Sequence, residues 1–373
     1  MSSPVYDAII AGAGIVGAAC AYECAAAGLT VAVIDAGPVA GGATAAGMGH
    51  IVVMDNSEAQ FQLTRYSRDL WNERANELPD ACQYVQAGTL WIATDGEEMQ
   101  EVRRKHAYYS SRGARTSILD GGELRKLEPN LRRDLAGALL VHEDAVLDPP
   151  SAAAYFLSRA TGSGAQLMTG QRVEKLDDSG ICLANGERLQ AGAYINAAGW
   201  QAPRLTSCLP VVARKGHLVI THREPGFLRH QLVELGYLQS AHQSTGSSVA
   251  FNVQPRRAGE VIIGASRQFG SEDTNVENDI VSRMLDRASS YMPELANLEG
   301  ARARAGIRAA TPDKLPLIGL VSGYRRVFAA TGHEGLGITT SLATARLLVD
   351  GMLGRQSAIS RQPYLPTQER LVH

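Results

Sequence analysis

The stretch Ala8-Ile9-Ile10-Ala11-Gly12-Ala13-Gly14-Ile15-Val16-Gly17 decides the fold of this 373-residue chain. Its apolar run predicts a strand, and the glycine-rich turn and small residues up to about Ala27 predict a helix. Residues 29–34 predict a second strand, and Asp35 stands at its end, 18 residues after Gly17. This strand–helix–strand pattern predicts a Rossmann-like parallel sheet.

The glycine spacing of this unit predicts a dinucleotide site. Gly12 permits a tight turn, Gly14 lets a pyrophosphate approach the backbone, and Gly17 lets helix and strand pack closely. The N–H groups at the helix start favour phosphate, and Asp35 can accept a hydrogen bond from a ribose hydroxyl. Because a carboxylate disfavours a 2′-phosphate, NADP is the least favoured dinucleotide, and NAD and FAD both remain.

Composition excludes several other classes of protein. A net charge of −2 argues against nucleic acid or an anionic membrane as the main partner, because both need a clear basic excess, and a hydrophobic content of 45% is ample for a buried core. We expect no integral membrane protein, because no apolar run reaches the ~18 residues that a membrane helix needs. The N-terminus lacks a basic region typical of signal peptides, which predicts a cytoplasmic location. The five cysteines lack CxxC spacing, so no metal site is predicted.

The rest of the chain continues with alternating helix and strand patterns. Helices are predicted at 59–78, 97–112, 122–127, 152–160, 278–291 and 339–353. Strands are predicted at 88–93, 172–176, 181–184, 193–197, 217–221, 248–253, 260–265 and 326–330. Asn185-Gly186 predicts a hairpin turn. The return of β-α patterns near the C-terminus predicts one domain of discontinuous segments with a β-rich domain inserted.

Two further glycine-rich loops are candidates for cofactor contacts. The first, residues 41–49, can pass close to a flat ring system, although a solvated loop explains it equally well. The second, residues 330–339, places glycines and a hydroxyl cap before a predicted helix. Such a helix start can stabilise negative charge on a reduced flavin.

Together these motifs resemble the FAD-dependent amino-acid oxidase and dehydrogenase superfamily, over roughly residues 5–353. Matching pieces beyond the fingerprint are Gly42-Ala43-Thr44 with Ala46-Gly47, Asn196-Ala197-Ala198-Gly199-Trp200, Arg214-Lys215-Gly216-His217, residues 306–319, and Thr331-Gly332-His333 with Gly335 and Gly337. The resemblance implies an α/β fold of the glutathione-reductase-like type. A Rossmann-like FAD-binding domain is expected at 1–85, 145–213 and 306–360, with an inserted mixed-sheet (α+β) substrate domain at 86–144 and 214–305.

The resemblance also implies FAD as the cofactor and a set of residues around it. The first glycines and Asp35 are expected at the ADP half, Val173 at the adenine, and the last loop at the pyrimidine end of the flavin. The predicted cofactor residues are Gly12, Gly14, Ile15, Val16, Gly17, Asp35, Ala36, Gly42, Ala43, Thr44, Gly47, Met48, Val173, Ala198, Gly199, Trp200, Arg308, Gly332, His333, Glu334, Gly335, Leu336, Gly337 and Ile338.

Arg308 matches the family arginine that pairs with the substrate carboxylate. A guanidinium suits that role because it binds a carboxylate through two parallel hydrogen bonds; a surface or interdomain ion pair is the other interpretation. The family often has proline after this arginine, whereas Ala309 and Ala310 follow here. The family's carboxylate-binding tyrosine is also missing, which leaves Asn252, or Tyr237 from the preceding loop, as a candidate.

Two histidines complete the predicted catalytic set, His50 and His333. His50 follows the first flavin loop and is predicted to face the substrate or to attach the flavin covalently; a structural histidine is the alternative. No cysteine lies beyond Cys208, so a C-terminal cysteinyl–flavin link is not expected.

The resemblance implies dehydrogenation of an amino acid, with hydride transfer from Cα to flavin N5 and formation of an imine. The segment 332–337 is more similar to dye-linked proline and hydroxyproline dehydrogenases, and to the hydrogen cyanide synthase subunit, than to D-amino-acid oxidase. The sequence is particularly similar to the catalytic subunits of bacterial D-hydroxyproline dehydrogenases, which favours cis-4-hydroxy-D-proline or D-proline as the substrate. Companion electron-transfer subunits or a diffusible acceptor are then expected. Two alternatives stay open: a glycine- or sarcosine-type oxidase that uses oxygen, and a flavin-bearing electron-relay subunit.

Overall fold

The computed structural model describes residues 6–236, 247–298 and 302–372. The helices are α1 Ile15–Ala26, α2 Glu58–Glu73, α3 Gly96–Ser110, α4 Gly121–Leu127, α5 Pro149–Gly162, α6 Ala202–Leu205, α7 Asn278–Tyr291, α8 Gly337–Met352 and α9 Gln368–Leu371. The strands are β1 Tyr6–Ala11, β2 Val31–Asp35, β3 His50–Ile51, β4 Thr89–Ala93, β5 Thr116–Asp120, β6 Gly137–Val141, β7 Ala145–Val146, β8 Gln166–Thr169, β9 Val173–Asp177, β10 Gly180–Leu183, β11 Arg188–Leu189, β12 Ala191–Asn196, β13 Val212–Arg223, β14 Gln231–Glu234, β15 Ser248–Pro255, β16 Glu260–Phe269, β17 Arg302–Ala310, β18 Leu317–Leu320 and β19 Val327–Thr331.

The predicted strand–helix–strand unit forms the centre of a six-stranded sheet, in the order β18-β19-β12-β1-β2-β8. All neighbours are parallel except β18, which runs antiparallel to β19. The interiors of the central strands β1 and β2 are buried on both faces, as expected in a parallel sheet, whereas the edge strand β8 is largely exposed. Helices α1, α5 and α8 cover one face. This arrangement confirms the predicted Rossmann-like sheet.

A second, eight-stranded sheet has the order β17-β13-β16-β15-β14-β4-β6-β5. Its neighbours are antiparallel except β14 and β4, which makes it a mixed sheet. Its strands come from two chain segments, on either side of the β12 segment of the first sheet. The α/β fold class with a mixed second sheet is therefore confirmed, while the domain boundaries stay a prediction. Two of those boundaries, 213/214 and 305/306, fall within β13 and β17.

Several helices begin or end at residues other than those predicted from the sequence. The helix predicted at 59–78 ends at Glu73, where Arg74 begins a series of turns. The helix predicted at 152–160 begins earlier, at Pro149, because the Asp148 side chain caps it by accepting from the Ser151 N–H at 3.0 Å. The hairpin turn at Asn185-Gly186 is confirmed, since β10 and β11 pair antiparallel across it.

The hydroxyl cap predicted for the last long helix is wrong. Helix α8 begins at Gly337, and its N-cap, Leu336, has no side chain that caps it. Thr339 lies inside the first turn instead, where its hydroxyl donates to the His50 carbonyl at 2.8 Å. Within the described ranges, none of the helices is both long and apolar enough to cross a membrane.

Candidate active site

A cavity of about 390 Å³ is lined by residues from both large sheets. The glycine-rich turn after β1 and the start of α8 line it from the six-stranded sheet. Asn252 on β15 and Arg308 on β17 line it from the eight-stranded sheet. Loops that are far apart in the chain, residues 42–48 and 198–201, complete the wall.

All but two of the predicted site residues line this cavity. The exceptions are Gly17 and Gly332, which act through packing. A Cβ on Gly17 would lie 1.9 Å from the Gly12 carbonyl oxygen, so only glycine lets α1 approach the turn this closely. Gly332 has a left-handed φ of +81°, and a Cβ there would lie 2.5 Å from Thr311 Cγ2.

Asp35 fixes the turn that carries the first two glycines. Its Oδ2 accepts from the Ala13 N–H at 2.6 Å, and its Oδ1 accepts from the Gly37 N–H at 2.8 Å. Each carboxylate oxygen can accept a second hydrogen bond, so the predicted ribose contact is compatible with these bonds. Thr44 joins the second loop to the helix start, because its Oγ1 accepts from the Ile15 N–H at 3.0 Å.

The second glycine loop passes through narrow gaps beside the cavity. A Cβ on Gly47 would lie 2.6 Å from Ile338 Cδ1, and a Cβ on Gly306 would lie 2.3 Å from Ala46 Cβ. The loop is therefore held between α8 and β17. Met48 continues this contact, since a Cβ on Gly264 would lie 2.5 Å from its Sδ. Gly42 and Ala43 at the start of the loop are exposed, and the role of residues 42–48 as a cofactor loop stays a prediction.

The Arg308 guanidinium lies across β13 at Gly216. A Cβ on Gly216 would lie 2.3 Å from its Nη1 and 2.4 Å from its Nη2. The same Nη1 donates to the Ser266 carbonyl on β16 at 2.8 Å. The strand continues through Ala309 and Ala310, so the missing proline leaves the backbone regular at this point. The side chain is thus held in place by two neighbouring strands and lines the cavity.

Glu334 brings two more arginines to the same region. It pairs with Arg214 on β13, and the Nε of Arg267 on β16 lies 3.6 Å from its Oε1. Burial raises the pKa of the Glu334 carboxyl, but Arg267, Arg214 and Arg308 outweigh burial and hold that pKa below its usual value. Three guanidinium groups around one carboxylate leave an excess of positive charge, which suits an anionic ligand.

The histidines of the site are held neutral by burial. Burial lowers the pKa of His50 to about 4 and that of His333 to about 3. His50 Nε2 donates to the Gly335 carbonyl at 3.0 Å, and His333 Nε2 lies 3.0 Å from the Thr344 hydroxyl. Both rings line the cavity and are tied to the α8 segment. Their catalytic roles stay predictions.

Comparison with protein families shows which family this chain belongs to. A family model described as DAO, FAD-dependent oxidoreductase, matches residues 7–351. The chain belongs to this family. The DAO match spans both sheets and every loop that lines the cavity.

Individual DAO proteins resemble the chain along its whole length. Glycine oxidase from Geobacillus kaustophilus is 28% identical over 97% of each chain. Its crystal structure superposes with a TM-score of 0.88, covering 98% of this chain and 99% of that one. Hydrogen cyanide synthase subunit HcnC from Pseudomonas aeruginosa is 28% identical over 92% of this chain and 91% of its own. L-proline dehydrogenase from P. horikoshii shares the fold, with a TM-score of 0.86 at 22% identity and 96% coverage of each chain.

FAD is the cofactor of this DAO enzyme, and the residues present fit it. The start of α1 has Gly14 as its N-cap, and Thr44 occupies only the Ile15 N–H, so the other backbone N–H groups of the first turn are available for phosphates. A Cβ on Gly42 would meet nothing within 4 Å, which leaves open space beside the loop at residues 42–48. The start of α8, which lacks a capping side chain, gives a second positive helix end.

Sequence patterns missed several residues that line the cavity: Gln60, Trp91, His217, Leu218, Val233 and Arg267. Gly216 and His217 belong to the segment 214–217, which resembles the family. That resemblance could have indicated that both residues lie at the cavity. Trp91 and Arg267 carry no local signal, because the register of the eight-stranded sheet places them. Tyr237, the alternative to Asn252, lies outside the described residues.

Proposed function

We propose that this enzyme dehydrogenates a small amino acid at its Cα–N bond, with FAD as the oxidant. The observation that supports this most directly is the position of Arg308. Its guanidinium lines the same cavity as the glycine loops expected to hold FAD, and Gly216 and Ser266 fix its orientation. A guanidinium in such a position binds a carboxylate through two hydrogen bonds and so orients Cα.

The protein groups would act mainly by binding and orienting. Arg308 holds the carboxylate, and the excess of positive charge around Glu334 strengthens that attraction. His50 stays neutral, which leaves its buried Nδ1 as a hydrogen-bond acceptor beside the cavity. When bound, FAD supplies the acceptor for the hydride of Cα. No further oxidant is needed for this half of the reaction.

For the substrate, we propose a cyclic secondary amine, cis-4-hydroxy-D-proline or D-proline. The similarity of the segment 332–337 to proline and hydroxyproline dehydrogenases supports this choice. The similarity to glycine oxidases supports the alternative, a glycine- or sarcosine-type oxidase that passes electrons to oxygen. A flavin-bearing relay subunit is the third possibility, and it would need no ligand at Arg308.

We also propose that companion electron-transfer subunits or a diffusible acceptor take the electrons from the reduced flavin. One relative, HcnC, is itself described as a subunit of hydrogen cyanide synthase, which supports an assembly. A cytoplasmic location stays a prediction. Rapid oxygen consumption by the isolated chain would favour the oxidase alternative.

The proposal is tested by adding substrates to the purified holoenzyme without oxygen. The visible spectrum should show bound flavin, and cis-4-hydroxy-D-proline, D-proline, glycine, sarcosine and D-alanine are then added in turn. We expect one or more of them to bleach the flavin band. Arg308→Met should slow this reduction at least 100-fold, since it removes a charge-assisted pair of hydrogen bonds.

Arg302→Met is the matched control, because Arg302 lies on the same strand but is exposed. It should reduce at the wild-type rate. Equal rates for Arg308→Met and the wild type would contradict the role of Arg308. A flavin that none of the amino acids reduces would contradict the proposed function and favour the relay subunit.

A further inference from the structure

One carboxylate oxygen of Glu334 is left for a bound molecule. Arg214 donates to Oε1, and the Nε of Arg267 also lies beside Oε1, at 3.6 Å. Among the described residues none donates a hydrogen bond to Oε2, and Oε2 is not among the unpaired atoms that are buried from solvent. The side chain is 12% exposed, and the residue lines the cavity. A molecule in the cavity can therefore reach Oε2 and donate to it.

Glu334 lies close to the Arg308 guanidinium. A Cβ on the next residue, Gly335, would lie 3.9 Å from Arg308 Cδ and Nε. Burial raises the pKa of the Glu334 carboxyl, but the three arginines around it outweigh burial and hold that pKa below its usual value. Within the described ranges, Glu334 forms its ion pairs with Arg214 and Arg267 and not with Arg308. An ionised carboxylate and a guanidinium thus face the cavity near each other without pairing.

These two opposite charges match the two charged groups of an α-amino acid. Its carboxylate and its nitrogen are both bonded to Cα, so the protein groups that bind them must lie near each other. Asp35 is the other carboxylate that lines the cavity in the described part of the chain, and both of its oxygens already accept from backbone N–H groups. With Arg308 holding the substrate carboxylate, Glu334 is the acid placed to meet the nitrogen.

The backbone of Glu334 supports a role beyond charge compensation. Its φ is +50°, in the left-handed region that disfavours residues other than glycine. Such conformations persist mainly at functional sites, where the surrounding structure holds them in place. The nearby positions Gly332, Gly335 and Gly337 are all glycine, whereas this position has a carboxylate. A carboxylate here therefore brings backbone strain that a further glycine would avoid.

A carboxylate suits the change of charge at the substrate nitrogen. Before hydride transfer the nitrogen must be neutral, with its extra proton released to solvent, and its N–H can then donate to Oε2. As the Cα–H bond breaks and the hydride passes to the flavin, the nitrogen lone pair forms the C=N bond and the nitrogen becomes a cationic iminium. No proton moves in this step, and the N–H still donates to Oε2. The attraction to Glu334 therefore grows toward the transition state, which accelerates the reaction.

We propose that Glu334 is a catalytic residue whose Oε2 accepts a hydrogen bond from the substrate nitrogen and stabilises the positive charge that forms there. This inference rests on the proposed function, in which Arg308 holds the carboxylate of the same molecule. It applies to primary and secondary amines alike, since both keep an N–H in the iminium product.

Glu334→Gln is the first test, because it keeps the size of the side chain and removes its charge. Stopped-flow reduction of the holoenzyme flavin without oxygen, by a substrate that reduces the wild type, should be about 100-fold slower. Acetate binding, measured by calorimetry, should be as tight as in the wild type or tighter, since a like charge beside Arg308 is lost. A purely structural role would weaken both, because a displaced Arg308 would hold neither the substrate carboxylate nor acetate well.

Glu272→Gln is the matched control, since Glu272 also pairs with an arginine, Arg204 at 2.9 Å, but at the surface. It should keep the wild-type rate and acetate affinity. A Glu334→Gln rate within about threefold of wild type would overturn the role of Glu334 while the proposed function stands, as would a loss of acetate affinity equal to the loss of rate. Failure of every amino acid to reduce the wild-type flavin would overturn both.

A second measurement uses the wild-type holoenzyme and needs no variant. 2-Aminoisobutyrate and pivalate have nearly the same shape, with an ammonium in one where the other has a methyl group, and neither has a hydrogen on Cα to lose. Calorimetry should show 2-aminoisobutyrate binding about 10- to 150-fold more tightly, as expected of a charge-assisted hydrogen bond. No advantage of 2-aminoisobutyrate over pivalate would overturn the role of Glu334, even where Glu334→Gln fails to fold.

Discussion

Replacing Gly216 by alanine should weaken catalysis by displacing Arg308. The new Cβ would lie 2.3 Å from Arg308 Nη1, 2.4 Å from Nη2 and 2.5 Å from Cζ. Gly216 lies within β13 and has no left-handed φ, so alanine fits the backbone and the strain falls on the guanidinium alone. To regain an ordinary contact of about 3.4 Å, the guanidinium must retreat by about 1 Å.

The expected magnitude follows from that displacement. A misplacement of about 1 Å in a substrate-orienting group costs on the order of 10²-fold. Losing a bidentate carboxylate contact costs about 3 kcal/mol, which is a similar factor. We therefore expect Gly216→Ala to lower kcat/KM about 100-fold. Flavin content should change far less, because the three atoms nearest the new Cβ all belong to Arg308 and none to the glycine turn after β1 or the loop at residues 42–48.

The assay is anaerobic flavin reduction over a range of substrate concentrations. Gly162→Ala is the control, because a Cβ there meets nothing within 4 Å. The double variant with Arg308→Met should be no slower than Arg308→Met alone, since both changes act through one guanidinium. A kcat/KM of Gly216→Ala within threefold of wild type would refute the reasoning, as would additive losses in the double variant.

Three other predictions concern the cofactor loop and the buried charges. Gly17→Ala should remove nearly all bound FAD, because its Cβ would lie 1.9 Å from the Gly12 carbonyl oxygen; Gly162→Ala, whose Cβ would meet nothing within 4 Å, should keep the wild-type FAD content per chain. Glu334→Gln should lower the free energy of unfolding by about 3 kcal/mol in urea titrations, because it leaves buried guanidinium charge uncompensated; an unchanged midpoint would contradict this. The pKa of His333 is about 3 in the folded chain and near 6.5 when unfolded, so acid below pH 6.5 protonates only the unfolded form. From pH 7 to 4.5, wild type should therefore lose roughly 2–3 kcal/mol more stability than His333→Gln, and parallel pH curves would disprove it.

The cofactor side of the site was predictable because its signals are local. The glycines from Gly12 to Gly17 and Asp35 lie within one strand–helix–strand unit, whose pattern constrains their positions. The errors in this unit concern only where an element begins or ends. Strand β2, for example, begins at Val31 instead of residue 29. The cap before α8 was mispredicted because the helix begins two residues before Thr339.

The substrate side was harder to predict because long-range register assembles it. Strand β17 reads Arg-Ala-Arg-Ala-Gly-Ile-Arg-Ala-Ala, in which Ile307 is the one large apolar residue, so the weak alternation of arginine with alanine was not recognised as a strand. Strand β6 is buried on both faces, and such a short apolar run cannot be distinguished from a helix by periodicity. Trp91, Val233 and Asn252 are cross-strand neighbours that line the cavity, although β4 lies far from β14 and β15 in the chain.

The order of strands in the two sheets has a consequence for how the chain folds. In the six-stranded sheet β1 lies between β2 and β12, and β12 pairs next with β19, near the end of the chain. The mixed sheet likewise receives its edge strand β17 late. High contact order of this kind slows folding, and it leaves apolar strand edges exposed while synthesis continues. FAD can therefore add its binding energy only to the completed chain, as a ligand that traps the native state.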